Sequence, residues 1–129
     1  MPRDKKYQDV TIGDRKFRIG LVKAIKGEWI VTQMNAGRSG QMEVFAAIQS
    51  ELLNVCSILV DAGGTLVPKS IWADGRWLDE SLGLEYDLET VHDLFDAALK
   101  FNFDPFFESL KKKGEEALQM ESQSSLSNQ

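Results

Sequence analysis

The sequence predicts an α+β fold that is mainly α, with an N-terminal β-hairpin packed on about four helices. Three observations lead there. Apolar residues alternate with polar ones on both sides of Gly13-Asp14. Further along, apolar residues recur at three- and four-residue steps in several stretches. The chain, at 129 residues, is long enough to bury one core without staples.

The hairpin comes first. Val10 and Ile12 alternate with Asp9 and Thr11, and Phe17, Ile19 and Leu21 alternate with Lys16, Arg18 and Gly20. Glycine at the first place of a two-residue loop suits a type II′ turn, because it accepts positive φ. That turn sets Val10 opposite Phe17 and Ile12 opposite Arg15, which keeps the apolar residues on one side.

A short helix is expected next, over about 26–36, with Ile25, Trp29, Ile30 and Met34 on one face and Gly27 weakening its start. Residues 35–40, Asn-Ala-Gly-Arg-Ser-Gly, read as a loop. The strongest helical pattern spans about 40–60, with Ser39 as its N-cap and Gly63-Gly64 as its stop. Its polar stripe is narrow, running through Glu43, Ala47, Ser50, Asn54, Ser57 and Asp61. A helix so largely apolar is central to a fold or covered by a partner.

Residues 65–86 read as irregular, with at most one short strand or helical turn, and contain Trp72, Trp77 and Tyr86. Another helix is expected from about Leu88 to Asn102. Asp87 is its N-cap, and Val91, Leu94, Phe95, Ala98 and Leu99 form its buried face. Asp104-Pro105 would restart a fourth helix, with proline at its first position and Phe106, Phe107 and Leu110 on its apolar side. The globular unit is expected over 1–116, and the polar segment 117–129 is expected to be a disordered tail.

Charge and composition narrow the functional classes. Acidic residues outnumber basic ones, 20 to 15, for a net charge of −5. That field opposes nucleic-acid binding, which needs cations to displace phosphate counterions. No run approaches the roughly 20 apolar residues of a membrane span, and the charged start leads into no secretory signal. The expected compartment is the cytosol. A single cysteine, Cys56, forms no internal disulfide.

No catalytic, metal or cofactor site is expected. The one histidine, His92, has Glu89 and Asp96 at helical spacing, but no second cluster completes a metal site. Cys56 lies among apolar neighbours and reads as a core residue. The segment Gly37-Arg38-Ser39-Gly40 lacks P-loop spacing and reads as a connection. The acids Asp79, Glu80, Glu85, Asp87 and Glu89 match no calcium-loop pattern. Lys111, Lys112 and Lys113 suit the end of a helix dipole.

The aromatics say more. Phe101, Phe103, Phe106 and Phe107 crowd seven positions, and Trp72 and Trp77 sit in a presumed loop. A chain this size has trouble burying all of these along with both faces of the second helix. The predicted partner-binding residues are therefore Phe45, Leu52, Trp72, Trp77, Phe101, Phe103, Phe106 and Phe107.

The run Phe101-Asn102-Phe103-Asp104-Pro105-Phe106-Phe107, after Leu94-Phe95-Asp96-Ala97-Ala98-Leu99, resembles the ending of tail assembly chaperones from long-tailed phages. The Phe17-Arg18-Ile19-Gly20 strand and the following segment with Trp29 are similar to the same family's start. The likeness covers roughly residues 8–110, and the Trp72–Tyr86 stretch departs from it. The resemblance implies a non-enzymatic, self-associating protein of the host cytoplasm, from a phage or prophage. Its partner would be the tape-measure protein, kept soluble during virion assembly until tail-tube protein displaces the chaperone. Another small phage structural or adaptor protein, acting through protein–protein contacts, is the alternative.

Overall fold

In the computed structural model, backbone is described for residues 6–127 and side chains for 6–116. The elements in order are β1 (Tyr7–Ile12), β2 (Arg15–Gly20), α1 (Ala24–Asn35), α2 (Met42–Leu53), β3 (Cys56–Ala62), β4 (Thr65–Ser70), β5 (Trp72–Ala73) and β6 (Arg76–Trp77). Two single 3-10 turns follow, at Glu80–Leu82 and Leu84–Tyr86, and then α3 (Leu88–Ser127). Strands β1 to β4 form one antiparallel sheet in sequence order, and β5 and β6 form a separate two-stranded ribbon. The expected mainly helical fold, a hairpin on about four helices, is thus overturned. Three helices and six strands are present among the described residues.

The first hairpin has the expected register, with Val10 opposite Phe17 and Ile12 opposite Arg15. Gly13 takes φ +64°, the positive value the turn requires. Phe17 and Ile19 are fully buried on the inner face. On the outer face Arg18 grips Asp9, its cross-strand partner, through bonds of 2.8 and 3.2 Å, and lies 4.0 Å from the Tyr7 ring centre.

The largest departure lies at 54–70. The helix expected to reach residue 60 ends at Leu53, and Cys56–Ala62 turns into the third strand. It pairs with β2 through Ile19–Cys56 and Phe17–Ile58. Close approach at this junction depends on Gly20. Its N–H donates to the Val55 carbonyl at 2.8 Å, and a Cβ there would lie only 3.2 Å from that oxygen. Gly63-Gly64 is a hairpin turn and not a helix stop. Its φ values of +69° and +93° are the pair that a type I′ turn uses. β4 is an edge strand, and Pro68 removes one N–H that another chain would need for pairing.

The β5–β6 ribbon turns at Asp74-Gly75, again with two positive φ values, +54° and +73°. Trp72 and Trp77 face each other across it, edge to face, with ring centres 5.0 Å apart. The Trp72 indole N–H donates to Ser50 Oγ at 3.1 Å and so fastens the ribbon to α2. The stretch 65–86, expected to hold at most one short strand or helical turn, thus contains three strands and two 3-10 turns.

Helix α3 begins as expected. Asp87 accepts the Thr90 N–H at 3.1 Å and its hydroxyl at 2.8 Å. These bonds hold the Asp87 carboxyl below the usual carboxylate range, with a smaller contribution from the Arg15 charge. A lowered folded pKa means that this stability is present above the unfolded pKa and is lost as pH falls through the folded one. Asp87→Ala is accordingly expected to lower the melting temperature at neutral pH, with the deficit closing on acidification. Thermal melts of both proteins across that range check it.

Val91, Leu94, Phe95 and Ala98 are buried, and Leu99 packs beside them. The expected break before Pro105 does not occur: α3 runs through the proline as one helix. Phe103 and Phe107 anchor it to the core on either side of Pro105, which offsets the cost of a missing N–H. From Glu108 to Glu116 every side chain is exposed, so the helix leaves the domain there. The expected tail 117–129 lies where side chains are outside the described residues, and Asn128 and Gln129 are wholly outside them. Among the described residues, no helix is long and apolar enough to cross a membrane.

Two smaller expectations also change. Gln41, not Ser39, precedes the first turn of α2, and it makes no side-chain cap bond. On α1, Ile30 is buried and Met34 half-buried, but Ile25 is 81% exposed, so the four residues do not share a covered face.

Candidate functional site: an apolar cleft between α1 and α3

The segment after β2 crosses over α3 before α1 begins, and Asn102 fixes the crossing. Its side-chain oxygen accepts the Val22 N–H at 2.9 Å. Its amide nitrogen donates to the Gly20 carbonyl at 3.2 Å and to the Ala98 carbonyl at 3.0 Å. α1 is thereby held beside α3 with a cleft of about 310 Å³ between them. Val22, Gly27, Val31, Phe103 and Phe106 line it, with Glu28 and Asn102 as polar members. Phe103 is 5% exposed and forms its base, whereas Phe106, 45% exposed, stands at its edge. Leu110, one turn beyond Phe106, is exposed as well.

A second apolar hollow, of about 290 Å³, opens among Met34, Phe45, Ile48, Phe95 and Leu99. Phe45 leans edge-on against Phe95, with ring centres 5.3 Å apart. α3 contributes to both hollows, through Leu99 to one and through Phe103, one turn on, to the other.

The predicted partner-binding residues therefore fall into three groups. Leu52 is fully buried, and with Phe103 it belongs to the core. Phe101 and Phe107 pack against that core while half-exposed. Phe45 and Phe106 present ring surface at the two hollows, and Trp72 and Trp77 line a third cavity elsewhere. Sequence reasoning missed Val22, Val31 and Asn102 as members of the cleft. The polar Asn102 within an aromatic run was the one available signal.

His92 is exposed, and Asp96, its expected neighbour, pairs with Lys100 at 2.9 Å. Among the described residues no three histidine, cysteine or carboxylate side chains come together as a metal site. Cys56 is 1% exposed and donates its thiol to the Leu52 carbonyl at 3.3 Å. Burial pushes its thiol up to about 12, so the thiolate does not form near neutrality. Cys56 is expected to resist a thiol-reactive disulfide reagent in the native protein and to react at once in denaturant. Absorbance of the released thiolate measures both.

No family model, no curated protein and no solved structure matches this chain.

Proposed function

We propose that this chain is a tail assembly chaperone of a long-tailed phage or prophage. In this reading it acts without catalysis in the host cytoplasm, holding apolar helical segments of a tape-measure protein in solution until tube assembly displaces it. The supporting observation is a coincidence of position. The segment that resembles the family, Phe101–Phe107, is also the segment that lines the α1–α3 cleft and exposes Phe106 at its edge. An apolar cleft with a few polar members suits the apolar face of a helix laid along it.

The expected contribution of a 40–60 helix shrinks, since α2 ends at Leu53 and residues 56–60 belong to the paired strand β3. What remains on α2 is Phe45 at the second hollow. Two shallow apolar sites per chain give weak individual contacts. Many copies along an extended client then hold it through avidity and still permit displacement. The net charge of −5 helps a coated client stay dissolved.

Co-expression with the tape-measure protein of the same genome tests the proposal. The expected result is soluble client copurifying with this chain, and absence of this chain from finished particles. A client that stays insoluble while this chain remains alone in the supernatant overturns it. Retention in finished particles points instead to a small structural or adaptor protein.

A further inference from the structure

A third cavity, of about 320 Å³, shares no residue with the two apolar hollows. Its base is apolar: Leu53, Leu84 and Val91 are all buried. Trp72 and Trp77 supply an aromatic wall, held rigid by their mutual edge-to-face contact and by the Trp72–Ser50 bond. Glu85 and Asp87 complete the lining, Glu85 exposed and Asp87 bound to Thr90.

The surrounding charge is one-sided. No lysine or arginine occurs between Leu78 and Leu99, while aspartate and glutamate recur throughout that stretch. Among the described residues Glu85 has no ion-pair partner, and neither has Glu89 one turn into α3. Several positive features oppose this field. Lys69 pairs with Asp79 and Lys100 with Asp96, which leaves Glu85 and Glu89 unpaired among the described residues, and Arg15 bears on Asp87. The N-terminus of α3 carries the equivalent of about half a positive charge, which is outweighed by the full charges of Glu85 and Glu89 beside it.

An apolar base, an indole wall and acidic lining residues match a side chain with a hydrocarbon stem and a cationic head. We propose that this cavity is a binding site for an arginine or lysine side chain of a protein partner. The methylene stem lies over Leu53, Leu84 and Val91, the indoles flank the head, and Glu85 receives its charge. The site is independent of the tape-measure reading and stands or falls separately from it.

The test is NMR titration of the intact chain, reading the three tryptophan indole N–H signals. The probes are N-acetyl-arginine methylamide and its neutral counterpart, N-acetyl-norleucine methylamide. The arginine probe is expected to shift the Trp72 and Trp77 signals saturably, in the millimolar range, and to leave Trp29 unmoved. The norleucine probe is expected to bind at least about five-fold more weakly, as the loss of a cation–π and charge contact requires. E85Q, an exposed substitution, is expected to weaken the arginine probe by several-fold without changing the melting temperature. Equal shifts with both probes would make the cavity merely apolar and overturn the proposal. So would the absence of any Trp72 or Trp77 shift up to the solubility limit, or an unchanged affinity in E85Q.

Discussion

Phe103→Ala is expected to destabilise the protein by about 3–5 kcal/mol, whereas Phe106→Ala costs less than about 1 kcal/mol and removes client binding. The two phenylalanines are three residues apart in one aromatic run, yet their surroundings differ sharply. Phe103 is 5% exposed and belongs to the same buried cluster as Leu94 and Ala98. Truncating it leaves a cavity between α1 and α3 that rigid helices close only in part. A domain of this kind has only about 5–15 kcal/mol of stability, so the loss consumes a large share of the whole. Phe106 is 45% exposed at the cleft edge and stands edge to face with Phe107, with ring centres 5.8 Å apart. Its removal costs little folding energy, and under the proposed function it removes the apolar edge that meets the client.

Urea unfolding and client copurification separate the two effects. The expected pattern is a lowered midpoint for Phe103→Ala, and a normal midpoint with lost copurification for Phe106→Ala. If Phe106→Ala retains full copurification, the cleft is not the client site. If Phe103→Ala unfolds at the normal midpoint, the packing of α1 on α3 described above is wrong.

The legible parts of the fold were those where one local rule sufficed. The first hairpin combined strict alternation with a glycine turn, so its register followed. The start of α3 combined an Asp87 cap with a clear apolar stripe, so its buried face followed. The stretch 54–62 was harder. Val55, Cys56, Ile58, Leu59 and Val60 form a short apolar run that fits a buried strand as well as the end of a helix. Periodicity does not separate the two. The β-branched Ile58 and Val60, followed by a Gly-Gly pair and then Thr65-Leu66-Val67, held the information. Reading Gly63-Gly64 as a helix stop instead of a turn discarded it. Asp74-Gly75 between Trp72 and Trp77 was missed in the same way, although Asp-Gly is among the strongest hairpin signals.

The opposite error occurred at Pro105, where a local rule lost to packing. A proline in a helix interior costs roughly 3 kcal/mol, which argued for two helices. Phe103 and Phe107, seated on the core to either side, keep α3 continuous. The candidate site was half visible for a related reason. Aromatic crowding located the right segment, but only packing decides which ring is base and which is edge. In this chain Phe103 turned inward, Phe106 did not, and Leu52 proved to be core.

Asn102 carries the strongest remaining expectation, because it joins the end of β2 to α3 by bonds that run in both directions. Its oxygen accepts from Val22, and its nitrogen donates to Gly20 and Ala98. Asn102→Ala removes these bonds from one N–H and two carbonyls, at about 1–3 kcal/mol for each group left unsatisfied. Asn102→Asp is the sharper test, since it preserves shape and keeps the acceptor for Val22. It replaces the amide donor with an oxygen facing two carbonyl oxygens. When ionised, that oxygen repels them; when protonated, it donates to one. The folded state therefore favours the protonated acid, and the folded pKa lies above the unfolded value of about 3.9. With a raised folded pKa, the proton's contribution is complete below the unfolded pKa and is lost as pH rises through the folded one. The wild-type protein moves the other way on its own account, because Asp9, Asp79 and Asp87 have lowered values and lose their contributions in acid. The difference between variant and wild type removes that common background. It is expected to be largest at neutral pH and to shrink steadily on acidification, as measured by urea midpoints of both proteins. A difference that stays constant with pH would mean that the amide does not donate to Gly20 and Ala98. The bond that Asn102 accepts from the Val22 N–H would then be what holds α1 in place beside the cleft.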